Sequence, residues 1–195
     1  MTDVTTPGTT PGTESNVAAS TLEQRLRRIE DRSELSDLVA TYGRAVDDRD
    51  VGLLEDLYTE DAVFDAVEGP VRGRREVVAY YLTRMRLFGP SYHIPHSQTV
   101  EFVSDDEATG IVCAHAELGM PEGAFWVGLR YHDRYAREEG SWRFRERKVV
   151  QLYAMPLSEL VTDYSAGLRK RWPGTEPALT DLPEGLPSWA AWTRG

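Results

Sequence analysis

The chain has 195 residues, a length that suits one domain with extensions and is enough to bury a substantial core. Its 32 acidic residues outnumber its 22 basic ones, and a net charge of −10 at pH 7 makes nucleic acids and anionic membranes poor partners. The single cysteine, Cys113, excludes an internal disulfide and any multi-cysteine metal site. Since no run of 18 apolar residues and no secretory leader pattern is visible, we expect a cytoplasmic protein that does not enter a membrane.

The N-terminal part predicts a disordered tail followed by a long helix. Residues 1–19 are rich in Thr, Pro, Gly and Ser and hold almost no large apolar side chain, so they bury too little surface to order. Ser20 and Glu23 have capping-box spacing, and Leu22, Leu26 and Ile29 follow at helical spacing. The apolar pattern slips near residues 31–33, which predicts two helices or one bent helix that ends around residues 47–50.

The rest of the domain, which we place at residues 20–160, predicts an α+β fold. A short helix near residues 53–57, a strand at 62–67, a turn at 68–70 and an amphipathic helix at 74–87 come first. Four long strands follow at 92–103, 107–118, 125–136 and 141–153, separated by acidic and glycine-rich hairpin turns. Helices followed by a meander indicate N-terminal helices packed on a strongly curved, mostly antiparallel sheet. Such a cone-shaped α+β barrel offers its interior to a small molecule.

Residues 161–195 form a C-terminal extension that is broken by Pro and Gly and carries three of the five tryptophans. These are Trp172, Trp189 and Trp192. A disordered tail rarely keeps so many tryptophans. We interpret them as capping the core, and the alternative is that the extension covers a pocket mouth or a subunit interface.

Asp47, His93 and Tyr42 are the main candidates for chemistry inside the cone. Asp47 is one of three acidic residues at the end of the long helix. Such residues are usually solvent-exposed, and the functional alternative is that one of them turns inward and pairs with a histidine. His93 lies early in the first long strand, and a neutral histidine can take a proton near pH 7. Tyr42 precedes Asp47 by five residues, about 140° around an ideal helix, so it is either a core aromatic or part of a wide pocket.

Other polar residues are weaker candidates. His96 follows His93 by three residues, which places the two on opposite faces of a regular strand unless a bulge at Pro95 brings them together. Two histidines are too few ligands for a metal site. Arg147 either faces solvent or points inward as a donor to a leaving group or carbonyl oxygen. Cys113 and His115 share a strand face about 7 Å apart, which makes them a weak nucleophile–base pair.

The order of these elements over about residues 22–156 resembles the SnoaL-like branch of the nuclear transport factor 2-like superfamily. The motifs that carry the resemblance are Tyr42-x-x-x-x-Asp47, Leu57–Phe64, Gly73–Glu76, His93-x-x-His96 and Gly140–Phe144. The motifs are most similar to the group of scytalone dehydratase, hexachlorocyclohexane dehydrochlorinase and bile acid 7α-dehydratase. In that group an Asp at the end of the long helix and a His in the next long strand form an acid–base dyad. The resemblance therefore implies that Asp47 and His93 form such a dyad.

The implied function is that of a cofactor-independent lyase or dehydratase that acts by β-elimination on a hydrophobic, polycyclic or polyketide-like molecule. The predicted catalytic residues are His93, Asp47 and Tyr42, and the predicted substrate-binding residues are His96, Arg147, His115 and Trp126, with no metal. An isomerase or cyclase is the nearest alternative, and a non-catalytic ligand-binding protein, like the small subunits of ring-hydroxylating dioxygenases, is the other. One departure is Ala116, which stands where the bile acid enzyme has a further catalytic Asp. The resemblance also implies a homodimer or homotrimer.

Overall fold

The computed structural model describes residues 20–194 and shows helices packed on one curved six-stranded sheet. The helices are α1 Leu22–Asp47, α2 Val51–Asp56, α3 Arg74–Met85, α4 Leu157–Asp163 and α5 Pro187–Trp192. The strands are β1 Tyr58–Ala66, β2 Gly69–Arg72, β3 Ser91–Phe102, β4 Glu107–Met120, β5 Gly123–Glu138 and β6 Ser141–Pro156. The predicted disordered tail, residues 1–19, lies outside the described residues.

The sheet has the order β2-β1-β6-β5-β4-β3, and every neighbouring pair is antiparallel except β1 and β6. Helix α1 packs against β3, and α3 packs against β1. The sheet curves around these helices without closing, so the predicted α+β cone is confirmed, with an open sheet in place of a complete barrel. The four predicted meander strands are the observed β3 to β6. Strand β3 has the predicted length and begins one residue earlier, and β4, β5 and β6 are each two to four residues longer than predicted.

Helix α1 is one continuous helix, which resolves the alternative left by its sequence. Its N-cap is Thr21, whose hydroxyl accepts a hydrogen bond from the Gln24 amide, so the capping box lies one residue later than predicted. The pattern slip has a physical cause. Asp31 occupies a buried position, and its carboxylate accepts hydrogen bonds from the Trp142 indole and from Arg137. A polar residue therefore fills an apolar position of the helix without breaking it.

The turn predicted at residues 68–70 is wrong in part. The turn is at Val67 and Glu68, and Gly69 already pairs with Ala66 as the first residue of β2. Strand β2 has four residues and contains Pro70, which fits the edge position that β2 holds in the sheet.

The C-terminal extension lies along an edge of β6 that no strand covers. Strand β1 pairs with β6 only as far as Lys148. Beyond it, the Ala154 amide donates to the Lys170 carbonyl at 2.7 Å, and the Leu182 amide donates to the Gln151 carbonyl at 3.1 Å. The extension thereby satisfies backbone groups that would otherwise form an open edge.

The three tryptophans of the extension differ in their surroundings. Trp172 packs against the hydrophobic core, whereas Trp189 and Trp192 contact each other with tilted rings and stay exposed. The interpretation that they cap the core therefore applies to Trp172 alone. Among residues 20–194, no helix combines the length and the apolar character that a membrane crossing requires.

Candidate active site

Asp47 and His93 are joined by two hydrogen bonds. Oδ1 of Asp47 lies 2.7 Å from Nδ1 of His93, and Oδ2 accepts a hydrogen bond from the His93 backbone amide, also at 2.7 Å. An ionised carboxylate only accepts hydrogen bonds, so in the neutral imidazole the proton is on Nδ1 and Nε2 is the nitrogen that can accept one. The side chains are 15% and 12% exposed for His93 and Asp47, so the pair is largely shielded from water.

Asp47 is held as a carboxylate by its partners. Burial alone would raise the pKa of Asp47, but the hydrogen bonds and charge of His93, together with a hydrogen bond from Ser91, outweigh burial and lower that pKa below its usual 3.8. The Ser91 hydroxyl donates to Oδ1 of Asp47 at 2.8 Å. An anionic Asp47 stabilises the imidazolium that forms when His93 takes a proton.

Two residues explain how α1 delivers Asp47 to β3. Gly43 lies one turn before Asp47, and a Cβ at this position would stand 3.2 Å from the His93 carbonyl oxygen, so glycine allows the close approach of helix and strand. Arg49 follows the helix with a φ of 61° and donates to the Val46 and Asp47 carbonyls. Its guanidinium also reaches the Ser91 hydroxyl at 3.0 Å. A positive charge near the C-terminus of a helix interacts favourably with the helix dipole. Here the Arg49 guanidinium also connects the end of α1 to Ser91 at the start of β3 by hydrogen bonds.

His93 lines a cavity of about 100 Å³ between the sheet and helices α1 and α3. Most of its lining is apolar or aromatic, which suits a hydrophobic ligand. The polar or charged side chains of the lining, apart from the tyrosines, are those of His93, Gln151, Glu68 and Arg84. Arg84 and Glu68 form an ion pair, and the Arg84 guanidinium lies over the rings of Tyr80 and Trp172. Trp172 thus brings the C-terminal extension into the cavity wall.

Tyr42 also lines the cavity, and its ring meets that of His93 edge to face. Its hydroxyl accepts a hydrogen bond from Tyr81 at 3.1 Å, and the Tyr81 hydroxyl lies 2.8 Å from that of Tyr58. Burial is the main reason that the pKa of Tyr42 rises to about 12. Tyr42 is therefore neutral at pH 7, and the hydroxyls of Tyr81 and Tyr131 are the hydrogen-bonding neighbours of its own.

Arg147 points inward but is separated from this cavity. It is completely buried and forms a bidentate ion pair with Asp133, through Nε at 2.9 Å and Nη2 at 2.7 Å. Its guanidinium lies 4.2 Å from the ring centroid of Tyr42, in cation–π geometry. Although burial opposes the charged form, Asp133 raises the pKa of Arg147 well above its usual value. We therefore replace the predicted substrate-binding role of Arg147 by an indirect one. Its guanidinium packs on the face of the Tyr42 ring and helps to fix the position of that ring.

His96, His115 and Trp126 lie together, away from the dyad. His96 occupies a bulge of β3, and its Nε2 lies 2.9 Å from Nδ1 of His115. The rings of His115 and Trp126 meet at 5.0 Å. The β4 neighbours of His115 point the other way, and Ala116 among them lines the cavity. The bulge at Pro95 therefore does not bring His96 to the face of His93, and His96 lies beside His115 on the opposite face. We leave these three residues out of the substrate site.

Burial lowers the pKa of His115, and the nearby His96 lowers it further. Within residues 20–194, no three His, Cys, Asp or Glu side chains are grouped as metal ligands.

Four residues of the site were not predicted. Ser91 and Arg49 were partly indicated by the sequence, because each lies two residues from a predicted member of the dyad. Asp133 and Gln151 carried none, because each lies in a strand whose inward face is evident only once the bulges of β5 and β6 are known. The alternation of a strand predicts which residues share a face only between bulges.

The profile of the SnoaL-like domain family matches residues 27–148 of this chain. Gamma-hexachlorocyclohexane dehydrochlorinase of Sphingobium indicum is 28% identical over 140 residues, which are 68% of this chain and 88% of the enzyme.

Solved structures agree in fold. The hexachlorocyclohexane dehydrochlorinase LinA-type3 of Novosphingobium barchaimii has a TM-score of 0.63 at 23% identity, covering 76% of this chain and 99% of that one. A nuclear transport factor 2-like superfamily protein of Salmonella enterica has a TM-score of 0.59 at 16% identity, covering 64% and 92% of the two chains. At these identities the likeness concerns the fold alone.

Proposed function

This chain belongs to the SnoaL-like domain family, and on that premise we propose that it is a cofactor-independent lyase of the dehydratase or dehydrochlorinase type. The observation that carries the proposal is the direct Asp47–His93 contact at the wall of an apolar cavity. The identity to a dehydrochlorinase over most of that enzyme's length supports the same reaction class.

In the proposed reaction, His93 is the base. Its Nε2 takes a proton from a carbon of the substrate, and the electrons of that C–H bond form a double bond to the neighbouring carbon. The leaving group, a hydroxide or a halide, departs with the electrons of its own bond to that neighbouring carbon. Asp47 keeps His93 in the productive tautomer and stabilises the imidazolium, and Tyr42 donates a hydrogen bond to the departing group or to a carbonyl oxygen.

The proposed substrate is a neutral, hydrophobic ring compound. A buried apolar cavity of about 150 Å³ is known to bind benzene, and the cavity beside His93 is about 100 Å³. The site as it stands therefore suits one ring that extends into the mouth. A polycyclic or polyketide-like substrate requires residues at the mouth, Trp172 among them, to move outward.

Two alternative functions, an isomerase or cyclase and a non-catalytic binding protein, would use the same residues differently. Without a leaving group, the base and donor would shift a double bond or close a ring, so an isomerase or cyclase differs from a lyase in its product. A non-catalytic binding protein has no need of an inward Asp–His pair. The 2.7 Å contact and the low exposure of both side chains argue against that function.

The test is turnover of a panel of chlorinated and hydroxylated ring compounds, followed by chloride release and by the absorbance of the new double bond. We expect His93→Ala and Asp47→Asn each to lower kcat by at least about a hundredfold, the lower end of what a positioned base contributes. The chain offers matched controls in His96→Ala, a histidine outside the cavity, and Asp48→Asn, the acid next to Asp47. Both controls should keep full activity.

Product analysis separates the functions. A product that has lost water or hydrogen halide identifies a lyase, and a product of unchanged mass identifies an isomerase or cyclase. Full activity in both dyad variants would refute the assignment of His93 as the base. Tight binding of a ligand that the wild-type protein never converts would favour the non-catalytic function.

A further inference from the structure

We propose that the side-chain amide of Gln151 is a second polar recognition point in the cavity, and that it hydrogen-bonds a hydroxyl or carbonyl oxygen on the part of the ligand remote from His93. This inference rests on the proposed function, because it names the substrate class of the same site. The substrate would be a ring compound with an oxygen at each end: one near the dyad and Tyr42, and one at Gln151.

The first observation is a side-chain amide that opens into the cavity. Gln151 is 2% exposed and lines the cavity. Among residues 20–194, no side chain or backbone group hydrogen-bonds the Gln151 amide, whereas the Gln98 amide donates to the Tyr135 hydroxyl at 3.1 Å. Within residues 20–194, the fully enclosed side-chain atoms that lack a partner belong to Arg74, Arg137, Arg143 and Arg147. The Gln151 amide is not one of them, so it remains open to the cavity, where a hydrogen bond to it can form. A ligand oxygen in the cavity would supply the partner.

The second observation is the direction of the side chain. Gln151 pairs with Leu129 of β5, and directly paired residues of neighbouring strands point to the same face. Leu129 lines the cavity, as does Val149 two residues before Gln151. The amide is therefore on the concave face of the sheet, which it shares with His93.

The third observation is the distance across the sheet. His93 is on β3 and Gln151 is on β6, with β4 and β5 between them. Three steps of about 4.8 Å give about 14 Å between the two strands. The register places Gln151 in line with Pro95, two residues along β3 from His93. Both side chains line the same cavity, so a substituted ring bound there can approach both.

The fourth observation is that the backbone of Gln151 is fixed by the C-terminal extension. The backbone N–H of Gln151 donates to Oδ2 of Asp181 at 3.2 Å, and its backbone carbonyl accepts from the Leu182 N–H at 3.1 Å. The match to the family ends at residue 148, three residues before Gln151. The polar group that we assign to recognition is therefore positioned by a segment outside the shared domain, whereas the dyad lies inside it.

The test uses two probes of nearly the same shape, hydroquinone and para-cresol, which differ in one hydroxyl that is a methyl in the cresol. Dissociation constants are measured by calorimetry, without turnover, in the full-length protein and under nitrogen. We expect Gln151→Leu to lower the preference for hydroquinone over para-cresol by about fivefold, the effect of one neutral hydrogen bond. Gln98→Leu is the matched control and should leave the preference unchanged.

An unchanged preference in folded Gln151→Leu overturns the proposal, as does an equal loss in Gln98→Leu or a lack of binding of both probes by the wild-type protein. If Gln151→Leu does not fold, Gln151→Met preserves more of the shape and gives the same comparison. The two hypotheses fail separately. A Gln151 effect on binding together with full turnover in His93→Ala refutes His93 as the base and keeps the recognition point. Loss of turnover in His93→Ala together with no Gln151 effect keeps the base and refutes only the recognition point.

Discussion

The ion pair of Asp133 and Arg147 gives the sharpest test of how the site is supported. Both side chains are completely shielded from water, and two hydrogen bonds of 2.9 and 2.7 Å join them. The guanidinium also lies 3.9–4.2 Å from the ring centroids of Tyr42, Tyr131 and Phe144. Asp133→Asn keeps the shape of the side chain and removes its charge, so it leaves a buried cation with aromatic rings but no counter-ion.

The expected cost follows from that burial. Removing one partner of a buried ion pair typically destabilises a protein by about 3–5 kcal/mol, because the remaining charge is uncompensated. The aromatic rings stay in place and keep part of the stabilisation of the cation, so we expect about 3 kcal/mol. For a domain of this size, each kcal/mol lowers the melting temperature by about 2–4 °C, which gives a decrease of about 6–12 °C.

The assay is urea unfolding followed by circular dichroism, with thermal melts in parallel. The first control is Glu146→Gln, because Glu146 forms a pair of 3.9 Å with Arg134 at the surface. Since exposed pairs contribute little, its cost should stay below about 1 kcal/mol. The second control replaces both buried partners, Asp133→Leu with Arg147→Met, and should lose less stability than Asp133→Asn alone. An Asp133→Asn cost no larger than that of Glu146→Gln would refute the view that Arg147 is a buried structural charge.

Three further predictions concern the cavity and the dyad. Ser91→Ala removes one hydrogen bond to the Asp47 carboxylate and should lower kcat about tenfold with KM unchanged; steady-state kinetics with equal kcat would contradict this. Because the folded pKa of Asp47 lies below 3.8, its carboxylate stabilises the fold above that pH, and the contribution is lost as the pH falls through the folded pKa. Urea titrations should therefore show that the free energy of unfolding falls less in Asp47→Asn than in the wild-type protein when the pH is lowered from 7 to below the folded pKa of Asp47. Trp172→Ala should widen the mouth and improve binding of naphthol relative to phenol, and an unchanged ratio in calorimetry would show that Trp172 does not limit ligand size.

The sequence predicted the elements wherever a periodic pattern extends over several turns or alternations. The strands β3 to β6 were placed within about three residues because acidic and glycine-rich turns separate long alternating runs. Strand β2 was read as a turn because four residues with a proline carry no alternation. The apparent break in α1 is a buried Asp31, and its partners Arg137 and Trp142 are more than 100 residues away in the chain. A single-sequence pattern carries no information about such distant partners.

The candidate site was predictable to a lesser extent. The pairing of Asp47 with His93 followed from motif order, and the geometry brings the two residues together. The predictions for His96, His115 and Trp126 depended on which face each side chain takes. Regular alternation gives His96 its observed face, opposite that of His93, and the bulge between Pro95 and Ser97 reverses the faces only of the residues beyond it.

The charges around the cavity limit the substrate further than its apolar lining does. Asp47 is paired with His93, and Glu68 is paired with Arg84. Arg147 is neutralised by Asp133 and is screened from the cavity by Tyr42. No cavity-lining side chain among residues 20–194 therefore offers an ionic ligand an unpaired counter-charge. An ionic ligand would lose its hydration without compensation, which is costly in a site of low polarity. We therefore expect the substrate to be neutral. The negative surface charge of the protein then affects the solubility of the protein more than its selection of a ligand.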